Sequence, residues 1–321
     1  MRGGRWIMAF FSAFREWARE KRITIIRRLI ALFIFVLLNS IIFGMFEFGR
    51  DPTLRYVLLP NASCRYIVNA PTYCYYYSLQ QWLQGGYSTL YVDMITPMLI
   101  VLVLIVALGR TWCSWACPFG LTQELLMSIR QSLRIPHLQL SRKWISLLDQ
   151  LKYAILFFTL LIAVATGIPS LGLVEYSATL SLPYCQICPA QGFFTLLQAP
   201  FGYTSAALPI TAIIVLVLFV VGSFFIRMFW CRICPMGALM ALFNKLSLVW
   251  LRKDPSKCTK CRICLRVCPQ DFHTVYEEME KENITGPECT LCGRCVECCP
   301  EPGALGLLAF NKTIIESKPK E

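Results

Sequence analysis

Cysteine carries most of the chemistry available to this sequence. It occupies 17 of 321 positions, and spacing sorts those positions into three sets. The first is C-terminal: Cys258, Cys261, Cys264 and Cys268 stand in CTKCRICLRVCP, and Cys289, Cys292, Cys295 and Cys299 stand in CTLCGRCVECCP. Both follow C-x₂-C-x₂-C-x₃-C-P, the spacing of a two-cluster ferredoxin. Three thiolates on one tight loop cap three irons of a cubane, and the fourth iron takes a cysteine from the other half. The expected ligand sets are therefore Cys258, Cys261, Cys264 and Cys299 for one [4Fe–4S] cluster, and Cys289, Cys292, Cys295 and Cys268 for the other. Structural zinc and disulfides fit this eight-cysteine pattern poorly, because a cytoplasmic domain keeps its thiols reduced. Neither ligand set needs Cys298.

The second set comprises Cys113 and Cys117 in TWCSWACPFG and Cys231 and Cys234 in FWCRICPMGAL. Each pair follows an apolar run and is followed by Pro and then Gly. Four thiols at one depth suffice for another cubane, and the Pro frees backbone amides to hydrogen-bond cluster sulfur. The third set is Cys64, Cys74, Cys185 and Cys188. YCQICP around the last two repeats the form of FWCRICP. Cys74 to Cys188 is 114 residues and Cys117 to Cys234 is 117, so the chain reads as two similar halves. This outer set has two open readings: a fourth [4Fe–4S] cluster, or disulfide chemistry with Cys64 joined to Cys74.

The elements that must position these thiols are apolar. The chain is 56% hydrophobic and 16% charged, with a mean hydropathy of +0.54, which is unlike a soluble domain. Segments 29–46, 90–109, 153–174 and 205–226 lack Lys and Arg and are long enough for a ~30 Å hydrocarbon core. The expected fold is a four-transmembrane-helix bundle of two pseudo-repeated hairpins plus a C-terminal α+β ferredoxin domain. Residues 1–28 form a basic N-terminus, 29–250 the membrane domain, 256–310 the ferredoxin and 311–321 a loose polar tail. An amphipathic surface helix is expected over 119–140, ending near Pro136. Lys and Arg number eight in 1–28, six in 110–152 and fourteen in 227–321, against three in 47–89. That bias places both termini and the central loop in the cytoplasm, and the second and third cysteine sets at opposite faces. The net charge of +12 is mostly this topology signal, with attraction to anionic lipid; a nucleic-acid partner is not expected.

The remaining chemistry is sparse. His137 and His273 are the only histidines, and neither lies in an apolar segment, so no bis-histidine haem fits there. No nucleotide-binding glycine motif or nucleophilic triad is visible. Groups that could take a proton from a quinol are Glu47, Asp93 and Glu175 near the outer face, and Glu124 and His137 near the inner one; each also reads as an ordinary loop or helix-end residue.

On its helices, its two inner cysteine–proline motifs and its double ferredoxin, the whole chain resembles the NapH-type membrane iron–sulfur proteins, quinol dehydrogenase partners of periplasmic nitrate reductases. The usual inner motif is C-x₃-C-P. Cys113 to Pro118 matches it, and Cys231 to Pro235 is one residue shorter. The resemblance implies a multi-pass protein of a prokaryotic inner membrane. It would be an electron-transfer component of an oxidoreductase, passing electrons between membrane quinone, a transient substrate, and other subunits of a redox complex. A quinone-independent iron–sulfur wire and an electron-supplying maturation factor are the alternatives. For a wire, clusters at opposite membrane faces stand too far apart unless the outer loops dip inward.

Overall fold

The computed structural model describes residues 21–39, 65–67, 70–85, 95–168, 180, 182–198 and 210–318. Cys64, Glu47, Asp93 and Glu175 lie outside the described residues, as do parts of all four expected spans. In chain order the N-terminal region contains α1 (Arg22–Leu38), β1 (Arg65–Ile67), β2 (Ala70–Tyr73), α2 (Tyr75–Gln84), α3 (Ile95–Leu108), α4 (Thr111–Trp115), α5 (Pro118–Ser132), α6 (Arg142–Gly167), α7 (Pro189–Gln198), α8 (Ile210–Phe225) and α9 (Pro235–Phe243). The C-terminal region contains β3 (Val249–Lys253), α10 (Ile263–Val267), α11 (Thr274–Glu277), α12 (Arg294–Cys298), β4 (Leu305–Ala309) and β5 (Lys312–Glu316).

Among the described residues one helix, α6 with 26 residues, is long and apolar enough to cross a bilayer. The described parts of α1, α3 and α8 are apolar but have 17, 14 and 16 residues. The long helices pack against short ones: α6 against α2 and α9, and α8 against α5 and α7. The short helices that begin at cysteines thus fill the centre, where the sequence led us to expect long helices packed on one another. Aromatic side chains knit this core, with Phe119 meeting Phe193, Phe194 and Phe219 at ring separations of 5.4, 6.4 and 5.4 Å.

Proline sets where the short helices begin. The residue before proline is pushed to extended backbone, and proline suits the first helical position because its missing N–H has no partner there anyway. Cys117 and Cys234 are accordingly extended N-caps ahead of Pro118 and Pro235, and extended Cys188 precedes Pro189. Cys74 caps α2 in the same conformation without a proline.

Helix α5 buries Phe119, Gln123, Glu124, Met127 and Arg130 along one face and exposes Leu125 and Ile129. It stops at Ser132, well short of Pro136. The Ile135 amide returns to the Arg130 carbonyl at 3.2 Å, with Arg134 at φ 55°. This closure satisfies end carbonyls that a longer helix would have used. The buried Arg130 guanidinium in turn donates to the carbonyls of Phe224 and Phe225 at the end of α8.

The ferredoxin boundaries also differ from expectation. Strand β3 pairs antiparallel with β4, Val249 opposite Ala309 and Leu251 opposite Leu307, so the domain begins before residue 256. The expected loose tail contributes β5, with Ile315 opposite Leu307. The alternation in β3, where Val249, Leu251 and Lys253 are buried between half-buried neighbours, gives the sheet its inner face.

Candidate iron–sulfur centres

In the C-terminal domain the cysteines fall around two cavities, each with an empty volume of about 390 Å³. Cys258, Cys261, Cys264 and Cys299 line one. Cys268, Cys289, Cys292 and Cys295 line the other. Val275 borders both. Each loop is bent by left-handed residues flanking its second cysteine: Lys260 and Arg262 around Cys261, Leu291 and Gly293 around Cys292. Such conformations cost energy and persist where the surroundings demand them; here they curl the loop around its cavity. Burial pushes the Cys268 and Cys289 thiols up to about 12. Buried thiols of this kind ionise when a metal takes the proton's place.

Among the helices, Cys113, Cys117, Cys231 and Cys234 line a larger cavity of about 810 Å³. Cys74, Cys185 and Cys188 line the same cavity. The two sets, expected at opposite faces, thus share one chamber. The connection carrying Cys185 folds inward against α8 and is tied to α2 through Gln80 and Gln84. Four helices, α2, α5, α7 and α9, start at or immediately after a cysteine of this chamber. Their N-terminal amides and dipoles favour negative charge there.

The fit to an anionic, thiolate-held cluster can be tested on other groups. Arg110 is fully buried against the chamber, and its Nε and Nη2 atoms have no hydrogen-bond partner. A buried guanidinium with unused donors calls for an anion. The Gly120 and Gly237 amides oppose the rise that burial imposes on the Cys117 and Cys234 thiols. A Cβ on Gly120 would meet the Cys113 carbonyl oxygen at 2.4 Å, whereas one on Gly237 would meet the Cys231 oxygen at 3.5 Å. The longer C-x₃-C segment therefore requires glycine, and the C-x₂-C segment leaves room. No three Cys, His, Asp or Glu side chains among the described residues converge on a single metal ion. Four cysteines around one cavity supply the thiolate donor set that a [4Fe–4S] cluster takes.

The chamber is joined to the second ferredoxin cavity by direct bonds. Ser114 Oγ donates to the Thr290 carbonyl at 2.7 Å, and Trp115 Nε1 to the Leu291 carbonyl at 3.2 Å. Thus the turn that follows Cys113 grips the loop that precedes Cys292. Arg110 Nη1 donates to the Pro287 carbonyl at 2.9 Å and pairs with Glu288 at 3.1 Å; Lys152 also pairs with Glu288. Burial alone would raise the Glu288 pKa, but Arg110 and Lys152 hold it below the usual carboxylate value. Asn244 Nδ2 donates to the carbonyls of Gly286 and Cys289, and its Oδ1 accepts from the Arg110 amide. Further out, Arg232 pairs with Asp149 and Asp271. The Glu297 carboxylate caps the first amides of α1 at Ile23 and Thr24, where the helix has no cap of its own.

Two other expected groups are accounted for. Glu124 is buried and paired with Arg27 at 2.6 Å and Arg28 at 3.4 Å, so its charge is already matched. Burial, reinforced by Arg227 and Arg130, lowers the His137 pKa, leaving a neutral imidazole at neutral pH. The sequence reading missed Gln123 and Gln80. Gln123 Nε2 reaches the Cys231 sulfur at 3.2 Å and Gln80 Nε2 the Cys185 sulfur at 3.5 Å. Their signal was available: each stands six residues after a helix-capping cysteine, Cys117 or Cys74.

Comparison with known proteins places this architecture. The 4Fe-4S binding domain family matches residues 92–136 and 208–258, stretches that contain both inner cysteine pairs. The 4Fe-4S dicluster domain family matches residues 251–300. The ferredoxin-type protein NapH of Escherichia coli is 25% identical over 298 residues, covering 89% of this chain and 90% of that protein. The NapH protein of Haemophilus influenzae is 25% identical over 214 residues, 65% of this chain and 66% of that one. The uncharacterized protein MJ0750 of Methanocaldococcus jannaschii is 27% identical over 225 residues, 68% of this chain and 81% of that one. No solved structure matches significantly. With its paired cysteine–proline motifs and double ferredoxin, the chain is similar to the NapH-type iron–sulfur proteins, and its 4Fe-4S domains support a role in electron transfer.

Proposed function

We propose that this chain is the electron-transfer subunit of a membrane redox complex, carrying electrons between quinone and a partner protein. Three [4Fe–4S] clusters are assigned by ligand set: Cys258, Cys261, Cys264 and Cys299; Cys268, Cys289, Cys292 and Cys295; and Cys113, Cys117, Cys231 and Cys234. When bound, these clusters supply one-electron carriers, tuned by burial and by hydrogen bonds to sulfur. The observation that carries the reading is the bonding of Ser114 and Trp115 to Thr290 and Leu291, which joins the chamber cysteines to the ferredoxin loop. The chain's own residues have three tasks. Arg110, fixed by Asn244 and Glu288, holds positive charge between two cysteine-lined cavities. Gln123 orients the Cys231 thiol. Exposed Cys261 brings one cavity to the surface, where a soluble partner can reach it.

A multi-pass membrane placement is supported by the outward faces of the apolar helices. Ile210, Ile214, Val217 and Leu218 on α8, Phe157, Phe158 and Leu161 on α6, and Phe33 on α1 are exposed, a lipid-facing pattern. With both termini cytoplasmic, the ferredoxin lies on the inner side. The neutral His137 imidazole is the inner-face group we assign to accept a quinol proton. A second reading, the quinone-independent wire, is favoured by one observation: the inner and outer cysteines share a chamber, which removes the distance that counted against it. One experiment separates the two. A reduced quinone analogue added to the oxidised protein in detergent bleaches cluster absorbance if quinol is the donor. No bleaching across a range of quinones overturns the quinone reading in favour of the wire.

A further inference from the structure

The proposed function leaves Cys74, Cys185 and Cys188 without a role, and no matched family covers them. Three hydrogen bonds that a buried glutamine makes in the inner set recur in theirs. In the inner set, Cys117 caps α5, and Gln123 Nε2 donates to the Phe119 carbonyl at 3.1 Å and to the Cys231 sulfur at 3.2 Å. Gln123 Oε1 accepts the amide of Trp230, the residue before Cys231, at 2.9 Å. In the outer set, Cys74 caps α2, and Gln80 Nε2 donates to the Tyr76 carbonyl at 3.2 Å and to the Cys185 sulfur at 3.5 Å. Gln80 Oε1 accepts the amide of Tyr184, the residue before Cys185, at 3.3 Å. Both loops then run C-x-I-C-P into a helix, α9 or α7. Both glutamines are fully buried.

The correspondence therefore relates outer to inner, at an offset of 43 residues from Cys74 to Cys117 and 46 from Cys185 to Cys231. This differs from the half-to-half repeat read from spacing. Each site combines a helix of the first half with a C-x-I-C-P loop of the second. A buried amide donating to sulfur is costly to leave unused, and it stabilises a thiolate more than a thiol. Aromatic packing completes the wall, with Tyr76 edge-on to Tyr184 at 5.8 Å.

We propose that Cys74, Cys185 and Cys188 bind a further iron–sulfur cluster, the fourth in the chain, in the same chamber as the inner one. Each thiol gives its proton to solvent as its sulfur bonds iron, and Gln80 positions Cys185 as Gln123 positions Cys231. The site stands on the three described cysteines. It extends the electron path beyond the inner centre toward the outer side whether or not quinone is the donor.

The test uses full-length protein purified anaerobically in detergent, counting iron and recording the reduced centres by electron paramagnetic resonance and redox titration. The proposal predicts about fifteen to sixteen irons per chain, since three thiolates hold a cluster of three or four irons, against about twelve with three cubanes. Cys188→Ser should remove one cluster's iron and leave the ferredoxin signals unchanged, which also verifies folding. Gln80→Leu should retain all iron while shifting the midpoint potential of one centre, and Gln123→Leu should shift a different one. A wild-type count of about twelve, with Cys185 and Cys188 recovered as a disulfide or as alkylatable thiols, would overturn the proposal. So would a shift of the same centre by both glutamine variants. The iron count is independent of quinol chemistry, so failure here and failure of the quinone reading are distinguishable.

Discussion

The ferredoxin domain and the helical chamber present cysteines in two different ways. In the ferredoxin, two cavities of similar size are separated by Val275, and each draws three ligands from one tight loop. In the chamber, one larger space is lined by cysteines from segments more than a hundred residues apart, delivered on helix N-termini. A tight loop fixes its own thiol geometry by backbone conformation, as at Lys260, Arg262 and Leu291. The chamber holds its left-handed residues further from its thiols, Leu182 three residues before Cys185 and Met228 three before Cys231. Its thiols depend on helix packing, on Gln80 and Gln123, and on the charged seam to the ferredoxin. Disturbing distant packing should therefore damage the chamber and spare the loops.

The largest effect should come from the seam. Arg110→Met removes the partner of partly buried Glu288 and the cation facing the chamber. Loss of one partner of a buried pair costs ~3–5 kcal/mol, and we expect the lower end because Lys152 stays on Glu288. Denaturant unfolding and protease sensitivity between the two regions should both register it. Unchanged stability would mean that the seam does not hold the regions together.

Next is the contrast between the two glycines. Gly120→Ala drives a methyl into the Cys113 carbonyl, and overpacking of this kind costs about 1–3 kcal/mol; the inner cluster should be lost while the ferredoxin spectrum remains. Gly237→Ala has room and should fall within about 0.5 kcal/mol of the parent. Equal iron loss in both variants would break the asserted difference between the C-x₃-C and C-x₂-C segments. A smaller effect is expected at Glu297→Gln, which weakens the borrowed cap of α1. A cap is worth about 1 kcal/mol, so hydrogen exchange at Ile23 and Thr24 should speed several-fold with cluster content intact. The smallest belongs to Arg252→Ala: its pair with exposed Glu316 spans only β3 and β5, and such surface pairs contribute ~0–1 kcal/mol.

The grouping of the ferredoxin cysteines around two cavities was legible because their spacing is local. The edges of that domain were not, because β3 and β5 are five-residue strands whose assignment depends on pairing with β4. The inner pairs were legible from their proline and glycine. The shared chamber was not, because charge bias says nothing of what a loop packs against; the loop of Cys185 is held to α2 by Gln80 and Gln84. Glu124 looked like a proton acceptor until Arg27, from a segment read as a topology signal, was found paired with it. Gln80 and Gln123 looked like ordinary polar helix residues, and only their common spacing from a capping cysteine set them apart.

The central claim is that electrons pass between the chamber and the ferredoxin through the inner cysteines. It is tested most directly by adding the quinol analogue to Cys113→Ala protein whose ferredoxin clusters are shown by electron paramagnetic resonance to be loaded. The account predicts that those clusters, reduced in the parent, stay oxidised in the variant while dithionite still reduces them. Reduction by the quinol analogue at the parental rate would contradict it.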